Sequence, residues 1–159
     1  YHVGHGSIVP KPNVAELLGD RVRFEDGTIE PVDVIVYATG YRITIPFVDS
    51  AHLNWQGERP ELFLNVFHPR RDDLFVAGLI QPDSGQWGLV DYQAQLIARY
   101  LRALEKQSSQ ARWFQKLKAH STGNATRGIR YKNSPRHLME VEHYSYRRML
   151  QRCIARLSR

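Results

Sequence analysis

The order of sequence patterns predicts an α/β chain with a β-rich N-terminal half and a helical C-terminal half. Three observations carry that prediction. Residues 22–25 and 28–31 flank an Asp26-Gly27 pair, the strongest short hairpin signal in the sequence. Two short apolar runs, VDVIVYAT (32–39) and LFVAGLI (74–80), have the composition of interior sheet strands. After residue 86, apolar residues recur at helical spacing in three successive segments.

Residues 1–12 contain Gly4, Gly6, Pro10 and Pro12 and read as irregular or edge-like. Gly4-His5-Gly6 begins like a dinucleotide fingerprint, but no third glycine follows at the required spacing and no strand precedes it. His2 and His5 have a metal-like spacing without a third ligand, so a surface loop is the better reading. The Asp26-Gly27 hairpin then leads into the strand 32–39, which closes at Gly40, where small residues let another backbone or a ligand approach. Residues 41–69 form a long, poorly periodic connection with a short apolar piece at 62–67. Arg70, Arg71, Asp72 and Asp73 follow as a polar turn expected to be solvated.

The run 74–104 is the centre of the reading: a strand expected to be covered on both faces, a polar turn, and an amphipathic helix. Gly78 inside that strand marks either a close approach or a bulge. Gln81, Pro82, Asp83, Ser84 and Gly85 are turn formers and candidate caps. Leu89, Leu96, Ile97, Tyr100, Leu101 and Leu104 then fall on one face, opposite Asp91, Gln95, Arg99 and Arg102. Such a corner aims unpaired N–H groups and the positive end of the helix dipole at whatever lies beyond the strand. Ser108 or Ser109 caps a second helix bearing Trp113, Phe114 and Leu117, ended by 121–124. After an aperiodic stretch, a last helix from about Glu140 carries Tyr146, Leu150, Cys153, Ile154 and Leu157.

At 159 residues the chain is about one domain and long enough to bury a core. No apolar run approaches the roughly 18 residues of a membrane-spanning helix, and no basic-then-apolar leader is present. A chain beginning at Tyr1 is expected to be processed or a piece of a larger one. The single cysteine, Cys153, allows no internal disulfide and suits a reducing, cytoplasmic setting, with its place on an apolar stripe favouring a buried structural thiol. The net charge of +6 is uneven: residues 1–111 hold 10 Lys and Arg against 14 Asp and Glu, and residues 112–159 hold 12 against 2. The basic tail from Arg112 onward admits a non-enzymatic binding module, with nucleic acid the minority partner beside an acidic protein surface.

The sequence has no Walker loop, zinc cysteine pair, nucleophile elbow or zinc-protease histidine pair. His68, His120, His137 and His143 are scattered, and neighbouring Asp72 and Asp73 point apart on an extended chain. No residue is assigned a catalytic role and no metal site is expected.

Two stretches resemble the flavin-containing monooxygenase family. DVIVYATGYRITIPF (33–47) is similar to that family's Ala-Thr-Gly-Tyr strand, and LFVAGLIQP (74–82) with Gln93 is similar to its strand, Gln-Pro turn and helix. Asp26-Gly27 and RYKNSPRH (130–137) extend the resemblance over nearly the whole chain. It implies FAD and NADPH as cofactors and a Rossmann-like, two-dinucleotide-domain flavoprotein. Residues 1–40 would be the tail of the NAD(P)-binding domain, and 41–159 the C-terminal part of the FAD-binding domain with a helical tail. Thr39, Gly40 and Tyr41 would lie at the crossover between the two domains, and Gln81, Pro82 and Ser84 would face the flavin. Dioxygen, a small molecule with a soft nitrogen or sulfur, and the remainder of a parent chain are the implied partners; homo-oligomerisation stays open.

The sequence departs from the family at Asp83, Ser84, Gly85, Gln86 and Trp87, which replace a more apolar segment and leave substrate choice undetermined. Both Gly-x-Gly-x-x-Gly loops are missing from these 159 residues, so the piece alone is expected to be inactive. A pyridine-nucleotide-dependent flavoprotein reductase, which would need a redox cysteine pair elsewhere, is the alternative enzyme.

Overall fold

The hairpin read from Asp26-Gly27 is present in the computed structural model of the chain, which describes residues 1–40, 42–121 and 137–159. Strands β1 (Val14–Leu17), β2 (Arg21–Phe24) and β3 (Ile29–Pro31) form an antiparallel sheet in that order, with Leu17 opposite Val22 and Val22 opposite Glu30. The β2–β3 turn is tied by the Asp26 carboxylate, which accepts from the Thr28 amide at 2.9 Å and the Thr28 hydroxyl at 2.7 Å. The hydroxyl bond is the larger cause holding the Asp26 carboxyl below its ordinary value.

The chain divides into two compact units, Tyr1–Gly40 and Tyr41–Arg159. In the first, Val22 is the buried apolar side chain of the sheet. Residues 33–39 depart from expectation, because they form no regular strand and leave Val34, Val36 and Tyr37 at 78 %, 83 % and 74 % exposure. An interior strand acquires its burial from neighbours on both edges and layers on both faces. Among the described residues, the 33–39 run has no strand partner.

In the second unit, the piece read as a structureless connection builds the centre of the core. Leu64 and Asn65 adopt left-handed backbone angles (φ 56° and 53°), folding residues 63–67 into a tight loop in which Phe63 and Phe67 exchange backbone hydrogen bonds of 2.8 and 3.0 Å. Phe67 then meets Phe114 at 4.9 Å, Phe75 at 5.6 Å and Tyr100 at 5.8 Å between ring centroids, edge to face. Upstream, a 3₁₀ turn (Ser50–Leu53) and a short antiparallel pair, β4 (Trp55–Gln56) with β5 (Arg59–Pro60), close the connection.

Helices α1 (Trp87–Glu105), α2 (Ser109–His120) and α3 (His143–Leu157) appear where the periodicity placed them. Leu89, Leu96, Tyr100 and Ala103 of α1 join Ala111 and Phe114 of α2 and Tyr146, Leu150, Cys153 and Leu157 of α3 in one apolar cluster. Each fully buried leucine contributes on the order of 1.5–3 kcal/mol. Ser108 caps α2, its hydroxyl accepting from the Ala111 amide at 3.2 Å. α3 begins at His143, three residues after the expected start near Glu140, and is capped by Glu142, whose carboxylate accepts from Tyr144 and Ser145 at 2.8 and 2.7 Å. Cys153 is buried, and that burial pushes its thiol up to about 11. Among the described residues, no helix is long and apolar enough to cross a membrane.

Two further readings are corrected. Residues 74–80 are extended but mostly half-buried, with Phe75 bridging Phe67 and only Ile80 fully buried. Regular pairing begins at β6 (Gln81–Pro82), which runs parallel to β7 (Glu140–Val141). The polar turn at 70–73 is only partly solvated. Asp72 accepts from the Tyr100 hydroxyl at 2.5 Å and the Gln115 amide at 2.7 Å, and it pairs with Lys118 at 3.0 Å. Lys118 lies on the inner side of α2, so its charge had to be met from within the fold, and the turn meets it.

Candidate cofactor-facing site

The β6–α1 corner brings Gln81, Pro82 and Ser84 together on one short turn. Gln81 is exposed and its amide donates to the Met139 carbonyl at 2.8 Å, while Pro82 is half-buried beside Val141. Ser84 is exposed, with its Oγ 2.6 Å from Nδ1 of His143. The Asp83 carboxylate accepts from the His143 amide at 3.0 Å, so the turn also caps the start of α3. The β6–β7 pairing and these two contacts dock the corner on the C-terminal helix.

Behind the turn, Gly78 is held from two sides. Its amide donates to Oε1 of Gln93 at 2.8 Å, and its carbonyl accepts from Nε2 of Gln86 at 2.8 Å. It adopts φ +84°, a left-handed conformation that favours glycine, with Gln86 and Val90 at ordinary contact distance from where a Cβ would stand. The backbone conformation, not a close approach, is what calls for glycine here. Gln86 stands at the cap of α1 but sends its amide back to Gly78, leaving α1 without a side-chain cap. The first N–H groups of a 19-residue helix thus meet no side-chain acceptor at the end of the Gln81–Ser84 turn. Gly85 and Gly88 have open space around them, and Trp87 is 87 % exposed.

Thr39 and Gly40 are exposed at the end of the first unit, Gly40 with φ +86° and nothing within 4 Å of the position a Cβ would take. Tyr41 and residues 130–136 of the RYKNSPRH stretch lie outside the described residues. Asp83, read as a turn former and candidate cap, caps α3 instead of α1; sequence reasoning did not single out His143 or Glu142 as parts of the corner. The spacing of β7 and α3 relative to β6 is long-range, and no local pattern announces it. Gln93 was more legible, being an amide on the apolar stripe formed by residues 89, 96 and 100.

A cavity of about 70 Å³ is lined by Asn54, Arg59, Phe63, Asn65, Pro69 and Ala119 among others, and includes none of the corner residues. It is well below the several hundred Å³ of a cofactor pocket. His137 Nδ1 lies 2.6 Å from the Glu140 carboxylate. Among the described residues, no group of three or more His, Cys, Asp or Glu has an arrangement able to hold a metal ion.

Residues 2–156 match the family model described as flavin-binding monooxygenase-like. The chain belongs to that family. Similar curated relatives include the rat protein named dimethylaniline monooxygenase [N-oxide-forming] 2, 36 % identical over 103 residues covering 63 % of this chain and 19 % of that protein. Rabbit flavin-containing monooxygenase 3 is 28 % identical over 134 residues, covering 74 % of this chain and 25 % of its own length. Human flavin-containing monooxygenase 2 is 33 % identical over 102 residues, 62 % of this chain and 19 % of its own. The matches span about a fifth to a quarter of these relatives, and no solved structure matches.

Flavin-containing monooxygenases use FAD and NADPH. The uncapped start of α1 and the open approach at Gly85 and Gly88 fit the edge of a planar ring that gains negative charge on reduction. A glycine-rich cradle for the cofactor phosphates is not in the sequence.

Proposed function

We propose that this chain is the C-terminal part of a flavin-dependent monooxygenase that uses NADPH and dioxygen to place one oxygen atom on a soft nitrogen or sulfur of a small molecule. In this reading, residues 1–40 are the tail of the NAD(P)-binding domain. Residues 41–159 are the C-terminal part of a Rossmann-like FAD-binding domain with its helical tail. The observation that carries it is the family match across residues 2–156, which includes an uncapped helix start directly after Gln81 and Pro82.

The residues divide the work as follows. Gln81, Pro82 and Ser84 line the flavin edge, and the first N–H groups of α1 stabilise charge that accumulates there. Gly78, clamped by Gln86 and Gln93, keeps the turn from shifting relative to α1. Thr39, Gly40 and Tyr41 form the crossover between the two domains. Bound FAD, reduced by NADPH, supplies the activation of dioxygen. The exposed run 33–39 supports a parent chain, since its β-branched side chains suit an interior strand that other strands would cover. The 159 residues alone lack a phosphate cradle and are therefore expected to be inactive.

The test is purification of a longer parent chain containing this segment, followed by assay with NADPH and a tertiary amine such as dimethylaniline, for which a relative is named. The expected result is a yellow protein that retains FAD, consumes NADPH and forms the N-oxide. A colourless parent that binds no FAD would overturn the reading.

A further inference from the structure

Helix α3 carries a stripe of exposed arginines. Arg148, Arg152 and Arg156 follow one another at intervals of four residues on one face of α3, and exposed Arg159 lies just past the end of the helix. The opposite face, Tyr146, Leu150, Cys153 and Leu157, is buried in the core. No acidic residue occurs between His143 and Arg159, and among the described residues none of these arginines is ion-paired. The Arg156 guanidinium lies 4.5 Å from the centroid of the Trp113 ring of α2, a helix that bears two further exposed cations, Arg112 and Lys116.

This arrangement has a cost. Arg148 with Arg152, Arg152 with Arg156, and Arg112 with Lys116 are like-charge pairs at i,i+4, each destabilising by a few tenths of a kcal/mol. The helix dipole favours cations in the last turn and so accounts for Arg156 and Arg159, but its influence does not reach back to Arg148 or Arg152.

We propose that this face of α3 docks an acidic protein segment, with carboxylates spaced about 6 Å apart to match arginines four residues apart on a helix. The guanidinium fork pairs with a carboxylate through two parallel hydrogen bonds, and the stripe is arginine throughout, without lysine. Tyr144 is the only exposed ring of α3, so the face offers no succession of stacking platforms for single-stranded nucleic acid. The apolar face of α3 is spent on the core, so the helix cannot lie in a lipid interface.

The 159-residue chain is titrated at low salt with a helical peptide bearing glutamate at every fourth position, and with the same peptide bearing glutamine instead. A uridine oligonucleotide and phosphatidylserine-containing vesicles are run alongside. The double variant Arg148→Glu/Arg152→Glu is compared with Arg99→Glu/Arg102→Glu, which makes the same charge change at exposed positions of α1. Circular dichroism establishes that each variant is folded. The expected result is salt-sensitive binding of the glutamate peptide alone, weakened about tenfold or more by the α3 variant and by less than about threefold by the α1 variant. No binding of the glutamate peptide, equal losses in both variants, or tighter binding of the oligonucleotide or vesicles would overturn the assignment.

Discussion

Gln93 of α1 donates its side-chain amide to the Tyr146 hydroxyl of α3 at 2.7 Å, and both side chains are completely buried. The hydroxyl in turn donates to the Leu64 carbonyl at 2.5 Å, while Gln93 Oε1 accepts from the Gly78 amide at 2.8 Å. One chain of hydrogen bonds therefore links the Phe63–Phe67 loop to the strand that leads into the Gln81–Ser84 turn. Burial pushes the Tyr146 phenol well above its ordinary range, so it remains a donor throughout the working pH range.

Replacing Gln93 with leucine keeps the volume but strands the Gly78 amide and one side of the Tyr146 hydroxyl. Leaving buried polar groups unmade costs about 1–3 kcal/mol each, so Gln93→Leu is expected to lose about 2–4 kcal/mol in urea unfolding. Tyr146→Phe should lose less, and the double variant less than the sum of the two, because they belong to one network. Additive losses would show that the bonds act independently.

Lys118 places its ammonium, 2 % exposed, on the His68 and Arg71 carbonyls at 2.8 Å, the Pro69 carbonyl at 3.2 Å and Asp72 at 3.0 Å. Lys118→Met leaves the His68, Pro69 and Arg71 carbonyls without their donor while Asp72 stays partly exposed to solvent, so it is expected to destabilise by about 1–3 kcal/mol. Burial of Asp72 opposes ionisation, but the hydrogen bonds from Tyr100, Gln115 and Lys118 prevail and hold its carboxyl below the ordinary value. A carboxyl depressed in the folded state contributes stability that is present above its unfolded pKa of about 3.9 and is lost as pH falls through the folded value. Asp72→Asn should therefore flatten the acid side of the stability–pH curve, measured by urea unfolding at successive pH values. An unchanged acid slope would refute the role of this carboxylate.

His68 gives a second, separable pH dependence. Its Nδ1 accepts from the Arg70 and Arg71 amides at 3.0 and 2.9 Å, which requires an unprotonated nitrogen. Burial first, then the charges of Lys118, Arg71 and Arg70, lower its pKa from 6.5. The unfolded chain then binds the proton more readily than the folded one, so stability falls as pH drops below about 6.5 and levels off below the folded value. His68→Asn, whose carbonyl oxygen can accept the same amides, should remove this leg while leaving the one due to Asp72. Thermal unfolding scanned from about pH 7 down to about 2 distinguishes the two, the His68 leg starting below about 6.5 and the Asp72 leg below about 3.9.

The parts of the fold legible in the sequence are those that local chemistry determines. The Asp26-Gly27 turn needs only its own neighbours, and the stripes of α1, α2 and α3 record the core they face. What was misread depends on distant partners. Residues 32–39 have the residues of an interior strand but, among the described residues, lack the strands that would make them one. Residues 62–67 have no period at all, yet they fill the centre of the core because Leu64 and Asn65 reverse the chain in left-handed conformations that apolar patterning does not encode. Asp72 and Lys118 lie 46 positions apart and look solvated one at a time. Of the corner itself, Gln81, Pro82 and Ser84 were readable as a turn, whereas His143 and Glu142 were not, because β7 returns to β6 from far along the chain.

Gly78 provides the sharpest test of how that corner is held. A Cβ there would meet the Gln86 amide at 3.9 Å and Val90 at 4.0 Å, ordinary contacts, so space does not forbid a side chain. The conformation at φ +84° does disfavour one, by roughly 1–2 kcal/mol for alanine. Asparagine tolerates the left-handed region better than alanine. Gly78→Asn should therefore be milder than Gly78→Ala in urea unfolding, even though its side chain is larger. The opposite ranking would mean that steric crowding from Gln86 and Val90, and not the backbone angle, is what keeps glycine at this position.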